Sequence, residues 1–499
     1  MHLKQNIIAN YFGQAWVALI GIIFIPIYIR YLGTEAYGLI GVFSVLQASL
    51  TLLDLGMAPT LNREMARYSA GGRSVQSINN LLRSLEVICG SIAIIIIVIT
   101  WLAAKWIATD WLKVTNLPID QVIYSINIMA FVIAFRIIEG MYKSAVLGLQ
   151  KHVLFNLINI VTASLRSLGV LGVLIFISPS IKAFFVWQAI ISMLSIFIFL
   201  IVVYKETSRI TVKPKFEYKS LLEIRKFSLA IAISSLLSFM LLQTDKILLS
   251  KFLSLESFGF YTIAASVSGS IYLFAVPIAQ SFSPKFTELI TLKKDKEIIV
   301  NYHIAAQLIT TMVMPVAIIL IFYAKQIIFL WTNNTVLTNE VSPIIQVLTI
   351  GSALNALMYT PYIIQLGYGW TKLSVFVNLI SVLFLVPALI VIAPLYGAIG
   401  AAWAWTILNI FYLILATHFM HRRILKAEKS AWYLQDVLYP LFPAIVVVAI
   451  SFEIQPYGMS WFICIAWISI AGVIALATSI CSSNLLRKHI LSRLLPTKI

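Results

Sequence analysis

Charge is scarce in this chain, and acidic charge most of all. Of the 499 residues, 61% are apolar and 11% are charged, and 19 acidic side chains stand against 36 lysines and arginines. Soluble globular domains are close to half apolar and about a quarter charged. The composition therefore excludes an ordinary soluble domain and predicts a protein that crosses a membrane many times.

Cysteine is also rare, which bears on redox chemistry and on metals. The three cysteines, Cys89, Cys464 and Cys481, lie in or beside apolar runs. This placement predicts neither a disulfide framework nor a metal cluster, and no cofactor is expected. The first apolar stretch, 7–29, is too long for a signal-peptide core and lacks a small-x-small cleavage site, so we expect it to be retained as a membrane span.

Long apolar runs, in contrast, are abundant. A helix needs about 20 apolar residues to cross the hydrocarbon of a bilayer. The sequence therefore predicts an all-α polytopic membrane protein with about 14 transmembrane helices, at 7–29, 36–58, 85–104, 121–147, 153–177, 183–204, 227–249, 258–280, 302–323, 341–366, 372–392, 396–419, 437–453 and 460–481. An even number of spans puts both termini on the same side.

The distribution of Lys and Arg predicts which side this is, because basic residues stay on the cytoplasmic side. With the N-terminus inside, 26 of the 36 basic residues fall in cytoplasmic segments, 7 in outer loops and 3 within spans. Both termini are therefore predicted to be cytoplasmic. The net charge of +17 then reflects Lys and Arg residues that set the topology and contact anionic membrane lipids. It predicts no nucleic-acid partner.

A short polar motif occurs twice in the chain. Residues 30–38 read RYLGTEAYG and residues 251–259 read KFLSLESFG, which share a basic residue, two aromatic residues, Leu, Glu and Gly at matching positions. Two further matches follow in the same order at nearly the same offset, 58–65 with 279–286 and LGLQKHVLFNLIN with LGYGWTKLSVFVN. Three matches in order indicate an internal duplication of six helices.

The duplication predicts the domain organisation. Because six is even, both copies enter the membrane in the same direction, as in transporters that rock two lobes around a central site. The repeated motif is then the outer hairpin of each lobe, where Gly allows close helix contact. The predicted domains are an N-terminal lobe at 1–204, a basic cytoplasmic linker at 205–226, a C-terminal lobe at 227–420, and two additional helices with a basic tail at 421–499.

Three stretches carry a resemblance to a known family: RYLGTEAYGLIGVFSVLQASLTLLDLGMAPTLNREMARYSA, LGLQKHVLFNLIN and TDKILLSKFLSLESFGFYTIA. They resemble the polysaccharide transporter family, the Wzx-type O-antigen and capsule flippases of the multidrug/oligosaccharidyl-lipid/polysaccharide exporter superfamily. The resemblance implies two six-helix lobes in a V-shape plus two C-terminal helices, in the inner membrane of a bacterium.

The same resemblance implies a substrate and partners. The substrate would be an undecaprenyl-pyrophosphate-linked oligosaccharide, moved by alternating access from the cytoplasmic to the periplasmic leaflet. A coupling proton or sodium ion, and a polysaccharide polymerase with its chain-length machinery, are the further partners that the family implies.

Span four carries an unusual group of charges. Its sequence FRIIEGMYK puts Arg136, Glu139 and Lys143 on one helical face. A charge near the bilayer centre costs at least about 2.5 kcal/mol, so it normally faces a partner or a wet cavity. One interpretation is a ladder in which Glu139 pairs with both basic residues, and this ladder leaves one positive charge over.

Span five adds a further arginine. Asn159 and Arg166 lie at helical spacing in a span with no acidic residue. By helical rise, Arg166 and Arg136 are at similar depth, roughly 20 and 18 Å from the inner ends of their helices. If both face the interior, they form a cationic midplane site, and guanidinium groups match the oxygens of a pyrophosphate. The candidate substrate-binding residues are Arg136, Arg166, Glu139, Lys143, Asn159 and Arg30.

Two aspartates are candidates for carrying a coupling ion. Asp245 is predicted near the outer surface in span seven, and Asp54 near the inner end of span two. For Asp245 an interfacial anchor is the alternative interpretation. Arg30 likewise has an alternative, since a long basic side chain can extend to the lipid headgroups.

Other functions remain open at this point. A peptidoglycan-precursor flippase and a multidrug or toxin antiporter belong to the same superfamily, and the excess positive charge in spans four and five favours an anionic substrate over an organic cation. A membrane glycosyltransferase or O-antigen polymerase is a remote alternative, because the outer loops, each under 20 residues, offer few catalytic groups. The chain is therefore not expected to be an enzyme.

The charge asymmetry generates a testable topology. Reporter fusions after residues 70, 215 and 290 should report the cytoplasm, and fusions near 113 and 333 should report the periplasm. Alkaline phosphatase and green fluorescent protein serve as the paired reporters. A periplasmic signal at 215 would contradict the two-lobe prediction, because it requires an odd number of spans in the first half.

Overall fold

The structure, a computed structural model, describes residues 2–207, 214–456 and 458–487. These residues form helices joined by short turns, as predicted for an all-α polytopic protein. Contacts within the chain divide it into two compact units, Met1–Gly259 and Phe260–Ile499.

Among its described residues, the first unit contains ten complete helices. They are α1 His2–Ile23, α2 Ile25–Leu32, α3 Thr34–Ala48, α4 Leu50–Leu53, α5 Met57–Ser69, α6 Val75–Trp106, α7 Ile119–Gly148, α8 His152–Phe176, α9 Ile181–Thr207 and α10 Tyr218–Phe252. A π-helix, Ile107–Trp111, continues α6, and α11, Leu255–Gly269, crosses the boundary between the units.

The described part of the second unit continues with nine helices. They are α12 Tyr272–Thr291, α13 Asp295–Phe322, α14 Ala324–Thr332, α15 Thr335–Leu357, α16 Tyr359–Gly367, α17 Lys372–Arg423, α18 Lys429–Ala431, α19 Tyr439–Glu453 and α20 Trp461–Ser482. A second π-helix, Trp432–Leu438, lies between α18 and α19.

The helices make the chain a multi-pass membrane protein. Among the described residues, ten helices are long and apolar enough to cross a membrane, and an eleventh span is obtained if α11 and α12, bent by 43°, are taken together. The count of fourteen stays a prediction. Two of the predicted spans, 372–392 and 396–419, lie within α17, which bends at Gly397 because its φ of 61° is not helical.

The predicted second span, 36–58, is divided into shorter helices in the structure. Leu55 and Gly56 have φ angles of 49° and 73°, and such left-handed residues cannot continue a right-handed helix. The backbone N–H of Gly56 donates to Asp54 Oδ1 at 2.7 Å, which stabilises the turn between α4 and α5. Asp54 therefore has a local structural role.

Parts of the predicted linker and tail cannot be compared with the structure. Residues 208–213 of the linker and 488–499 of the basic tail lie outside the described residues. Helix α9 ends at Thr207, and α10 begins at Tyr218 and belongs to the first unit. The division into lobes at 205–226 stays a prediction.

The core of the first unit lies among α5, α6, α7 and α9. Leu61, Leu81 and Val203 are among its fully buried side chains. On another face of α6, Ile94 and Leu102 are exposed. A helix that is apolar on all sides fits a membrane, where the core face packs on protein and the other face meets lipid.

The two copies of the repeated motif contact each other. A Cβ atom at Gly38 would collide with the carbonyl oxygen of Leu255, and one at Gly259 would lie 2.7 Å from the carbonyl oxygen of Thr34. The Thr34 hydroxyl also donates to Glu256 Oε1 at 2.7 Å. The predicted role of Gly in close helix contact is confirmed, with each copy of the motif as the other's partner.

Glu35 of the first copy and Glu256 of the second make different contacts. Glu35 is buried, and its carboxylate accepts the backbone N–H groups of Thr115, Asn116 and Leu117 at 2.5, 2.8 and 3.0 Å. These groups belong to the loop before α7. Glu35 therefore fixes that loop against the start of α3, since a carboxylate that accepts several N–H groups makes strong hydrogen bonds.

The glycine contact predicts the effect of a single added methyl group. Gly38→Ala forces α3 away from Leu255 and should lower the free energy of unfolding by about 1–3 kcal/mol, the usual range for overpacking. Thermal unfolding of the purified protein measures this. Gly90→Ala on α6 is the matched control, because no atom lies within 4 Å of the added Cβ. Equal melting temperatures for the two variants would contradict the prediction.

Candidate functional site

The candidate site is built on α7, α8 and α9 of the first unit. Arg136, Glu139 and Lys143 lie on α7 at spacings of three and four, which puts them on one side of the helix. Helix α8 carries Arg166, and α9 carries Ser195. The site thus draws one polar group or more from each of three consecutive helices.

Glu139 is the centre of the site. Its side chain is 3% exposed, and Oε1 accepts from Lys143 Nζ at 2.8 Å and from the Ser195 hydroxyl at 2.7 Å. Oε2 accepts from Arg166 Nη2 at 2.9 Å. Hydrogen bonds to an ionised group are among the strongest in proteins, and here they join three helices.

Arg136 is held differently. Its Nη2 donates to Gln188 Oε1 at 3.4 Å, and its guanidinium lies 5.2 Å from the centre of the Phe43 ring. In the part of the chain that the structure describes, Arg136 forms no ion pair. An arginine over an aromatic ring gains a modest cation–π attraction, which leaves most of its charge unneutralised.

The ladder suggested by the sequence is confirmed for Lys143 and wrong for Arg136. Side chains on a helix tilt toward its N-terminus, so Lys143 leans toward Glu139 while Arg136 leans away from it. The second partner of Glu139 is instead Arg166 from the neighbouring helix. Spacing along one helix gives no information about such a partner.

The charge balance of the site remains positive. Arg136, Lys143 and Arg166 share one carboxylate, Glu139, so two positive charges are in excess within this cluster. Among the described residues, the buried Nε atoms of both arginines have no hydrogen-bond partner. The site therefore combines excess positive charge with unused donors, a combination that binds anions.

The structure leaves the other predicted site residues at separate positions. Arg30 is exposed in the last turn of α2, and Asn159 is partly buried on α8, where its carbonyl oxygen accepts from Thr162. Asp54 lies in the turn between α4 and α5, and Asp245 is partly buried on α10. The cluster around Glu139 is thus formed by four of the predicted residues.

Three residues of the site were not predicted from the sequence. Gln188 and Ser195 on α9 bind Arg136 and Glu139, and Phe43 on α3 lies under the Arg136 guanidinium. A signal existed for α9, because Gln188, Ser192 and Ser195 recur at helical spacing in an otherwise apolar segment. Gln188, Ser192 and Ser195 are all buried. Buried polar side chains usually form hydrogen bonds, so a polar row of this kind marks a helix face that meets other polar groups.

The central role of Glu139 gives a stability prediction. Glu139→Gln leaves the partly buried Arg166 and Lys143 without their carboxylate and should cost roughly 3–5 kcal/mol of unfolding free energy. Chemical or thermal unfolding in detergent measures the change.

The matched control is Glu206→Gln, which removes an exposed partner of Lys151 and should cost less than about 1 kcal/mol. Removing Arg166 together with Glu139 should recover part of the loss. Equal unfolding free energies for Glu139→Gln and Glu206→Gln would show that Glu139 does not hold the helices together.

The fold resembles those of known transporters. The lipid II flippase MurJ, in an inward closed conformation, is 15% identical, with a TM-score of 0.74 over 98% of this chain and 100% of that chain. A multidrug resistance MATE family transporter of the MOP superfamily, in an inward-facing conformation, is 14% identical, with a TM-score of 0.65 over 82% of this chain and 96% of that chain. At these identities the likeness establishes the fold alone.

Sequence comparison gives a relative and a family. A protein of Shigella flexneri named "Putative O-antigen transporter" is 21% identical over 408 residues, which cover 82% of this chain and 95% of the relative. The family model described as "Polysaccharide biosynthesis protein" matches residues 3–290. This match spans more than half of the chain and all of the residues around Glu139, and the chain therefore belongs to the polysaccharide biosynthesis protein family.

Proposed function

We propose that the protein is a flippase of the bacterial inner membrane that moves an undecaprenyl-pyrophosphate-linked oligosaccharide from the cytoplasmic to the periplasmic leaflet. Family membership and the name of the Shigella relative support a role in polysaccharide export. The fold supports a transporter. No catalytic step is part of the proposal.

One observation carries the proposal: a partly buried arginine without a carboxylate. Arg136 lies on α7 beside a carboxylate that is already occupied by Lys143 and Arg166. A charge inside a membrane protein is costly and normally faces a partner or a water-filled path. A pyrophosphate supplies the missing negative charge, and its oxygens accept the unused Nε–H groups of Arg136 and Arg166.

The remaining predicted residues enter the proposal with lesser roles. Lys143 and Glu139 hold Arg166 in place, and Asn159, on the same helix as Arg166, is a candidate for contact with the sugar. Arg30 would meet the headgroup region. Asp245 and Asp54 stay the candidates for a coupling proton or sodium ion, although Asp54 already accepts a hydrogen bond from its own turn.

The mechanism in this proposal is alternating access by two lobes, 1–204 and 227–420, joined by the linker 205–226. The two additional helices and basic tail, 421–499, complete the chain. A polysaccharide polymerase and its chain-length machinery are proposed as the recipients of the exported glycan.

A flippase for a lipid-linked peptidoglycan precursor is the second candidate. The observation in its favour is the likeness to MurJ over nearly the whole chain. A multidrug antiporter for organic cations is disfavoured, because the cluster around Glu139 would repel a cation. The first two candidates are distinguished by removing the protein from its host and identifying the lipid-linked intermediate that accumulates.

The role of the arginines is tested by neutralising them. Arg136→Gln and Arg166→Gln should each lower glycan export roughly ten- to a hundredfold at unchanged protein abundance, as expected for the loss of a charged hydrogen bond. Arg136→Lys should export more than Arg136→Gln but less than the wild type, because lysine keeps the positive charge and lacks the bidentate geometry of a guanidinium. Export per molecule is measured by surface glycan against membrane protein content.

The matched control is Lys151→Gln, which removes a basic residue from an exposed ion pair with Glu206. This variant should export like the wild type. If Arg166→Gln lowers abundance while export per molecule stays normal, the arginine only holds α8 to α7. If Arg136→Gln exports normally at normal abundance, Arg136 does not bind the substrate.

A further inference from the structure

A second buried charged cluster lies in the second unit, around His303 on α13. Its Nδ1 is 2.5 Å from Asp436 Oδ2, and its Nε2 is 3.1 Å from Glu428 Oε2. Asp436 belongs to the π-helix before α19, and Glu428 precedes α18. The side chains of His303 and Asp436 are 9% and 1% exposed, and that of Glu428 is 23% exposed.

The two carboxylate contacts favour a charged imidazole. A neutral imidazole has one N–H and one acceptor nitrogen, whereas an ionised carboxylate only accepts. Both ring nitrogens of His303 face carboxylate oxygens, so with both carboxylates ionised the two contacts are hydrogen bonds only if the ring carries two protons. A neutral ring would turn a nitrogen lone pair toward Asp436 or Glu428 and leave two carboxylates close together without a cation.

The cluster joins parts of the chain that are far apart in sequence. Asp436 Oδ1 accepts from Gln307 Nε2 at 2.9 Å, one turn further along α13. Gln307 Oε1 in turn accepts the backbone N–H groups of Leu485 and Leu486 at 3.2 and 3.3 Å. Helix α13 is thereby tied both to the start of α19 and to the segment after α20.

The neighbouring titratable groups are already satisfied in other ways. His421 Nδ1 donates to the carbonyl oxygen of Thr417 at 2.9 Å, and its Nε2 pairs with the Tyr302 hydroxyl at 3.2 Å, so it fits a neutral ring. Lys429 Nζ donates to His418 Nδ1 at 3.0 Å. The Tyr433 hydroxyl pairs with the Thr417 hydroxyl.

We propose that His303, Asp436 and Glu428 form a proton-binding site whose occupied state fastens the last two helices to α13. The charge distribution of the sequence predicts that this end of the unit faces the cytoplasm, and the partly exposed Glu428 gives the proton a route to it. Loss of the proton as the pH rises removes the cation between two carboxylates, and the attachment weakens. This proposal does not depend on the proposed function, because histidine protonation and amide exchange are measured on the protein itself and not through glycan export.

The charge of the ring is tested by nuclear magnetic resonance on protein labelled with 15N-histidine. Of the six histidines, the His303 signal is identified by its absence in His303→Gln. We expect both ring nitrogens of His303 to carry protons at neutral pH and one proton to leave on alkalinisation. A His303 ring with a single proton over the whole pH range in which the protein is folded would overturn the proposal.

The attachment is tested by hydrogen exchange of the Leu485 and Leu486 amides, corrected for the pH dependence of intrinsic exchange. Wild-type exchange should rise roughly ten- to a hundredfold as His303 loses its proton, the range expected for losing a charged hydrogen bond. His303→Gln should exchange rapidly at every pH. The matched control His418→Gln, at a histidine that contacts only Lys429 by hydrogen bond among the described residues, should follow the wild type.

A milder variant keeps the test decisive if His303→Gln does not fold. Glu428→Gln removes the partly exposed carboxylate and leaves Asp436 in place, so the imidazolium loses part of its stabilisation and should release its proton at lower pH. The onset of fast exchange at Leu485 and Leu486 should move to lower pH with it. An exchange profile that is unchanged by Glu428→Gln, or that does not follow the charge of His303, would overturn the proposal.

Discussion

Hydrocarbon offers no water to a charged group, and this constraint organises the interior of the first unit. Glu139 meets it by accepting from Lys143, Arg166 and Ser195, so one carboxylate joins α7, α8 and α9. Because both carboxylate oxygens are occupied, Arg136 is left to Gln188 and Phe43. The packing of the helices and the cationic character of the site are therefore two results of the same ionic arrangement.

The two units solve the problem of buried charge with opposite signs. Around Glu139, one anion lies between two cations, and around His303, one cation lies between two anions. An excess of positive charge inside a unit favours an anionic ligand and does not change near neutral pH, since arginine keeps its proton. An excess of negative charge around a histidine depends on pH, because imidazole titrates in the physiological range. The first arrangement suits binding and the second suits regulation.

Composition and hydropathy were sufficient to predict the all-α membrane fold, because lipid requires long apolar helices and permits few alternatives. Spacing along one helix predicted that Lys143 would reach Glu139. Spacing did not predict that Arg166 would do the same from α8, because which faces of two helices meet depends on packing over the whole unit. The break at Leu55 and Gly56 was missed for a related reason: the apolar run continues through it, and the left-handed backbone there depends on a turn that Asp54 stabilises.

The contact between Gly38 and Leu255, and its counterpart between Gly259 and Thr34, has an evolutionary consequence. After most duplications the two copies diverge independently, since each has its own surroundings. Here each copy of the motif is part of the surroundings of the other. The first atoms that a larger side chain would meet at either glycine are backbone carbonyl oxygens, which no substitution in the opposite copy removes. Both copies of the motif are therefore expected to retain glycine here long after the residues around them have lost their similarity.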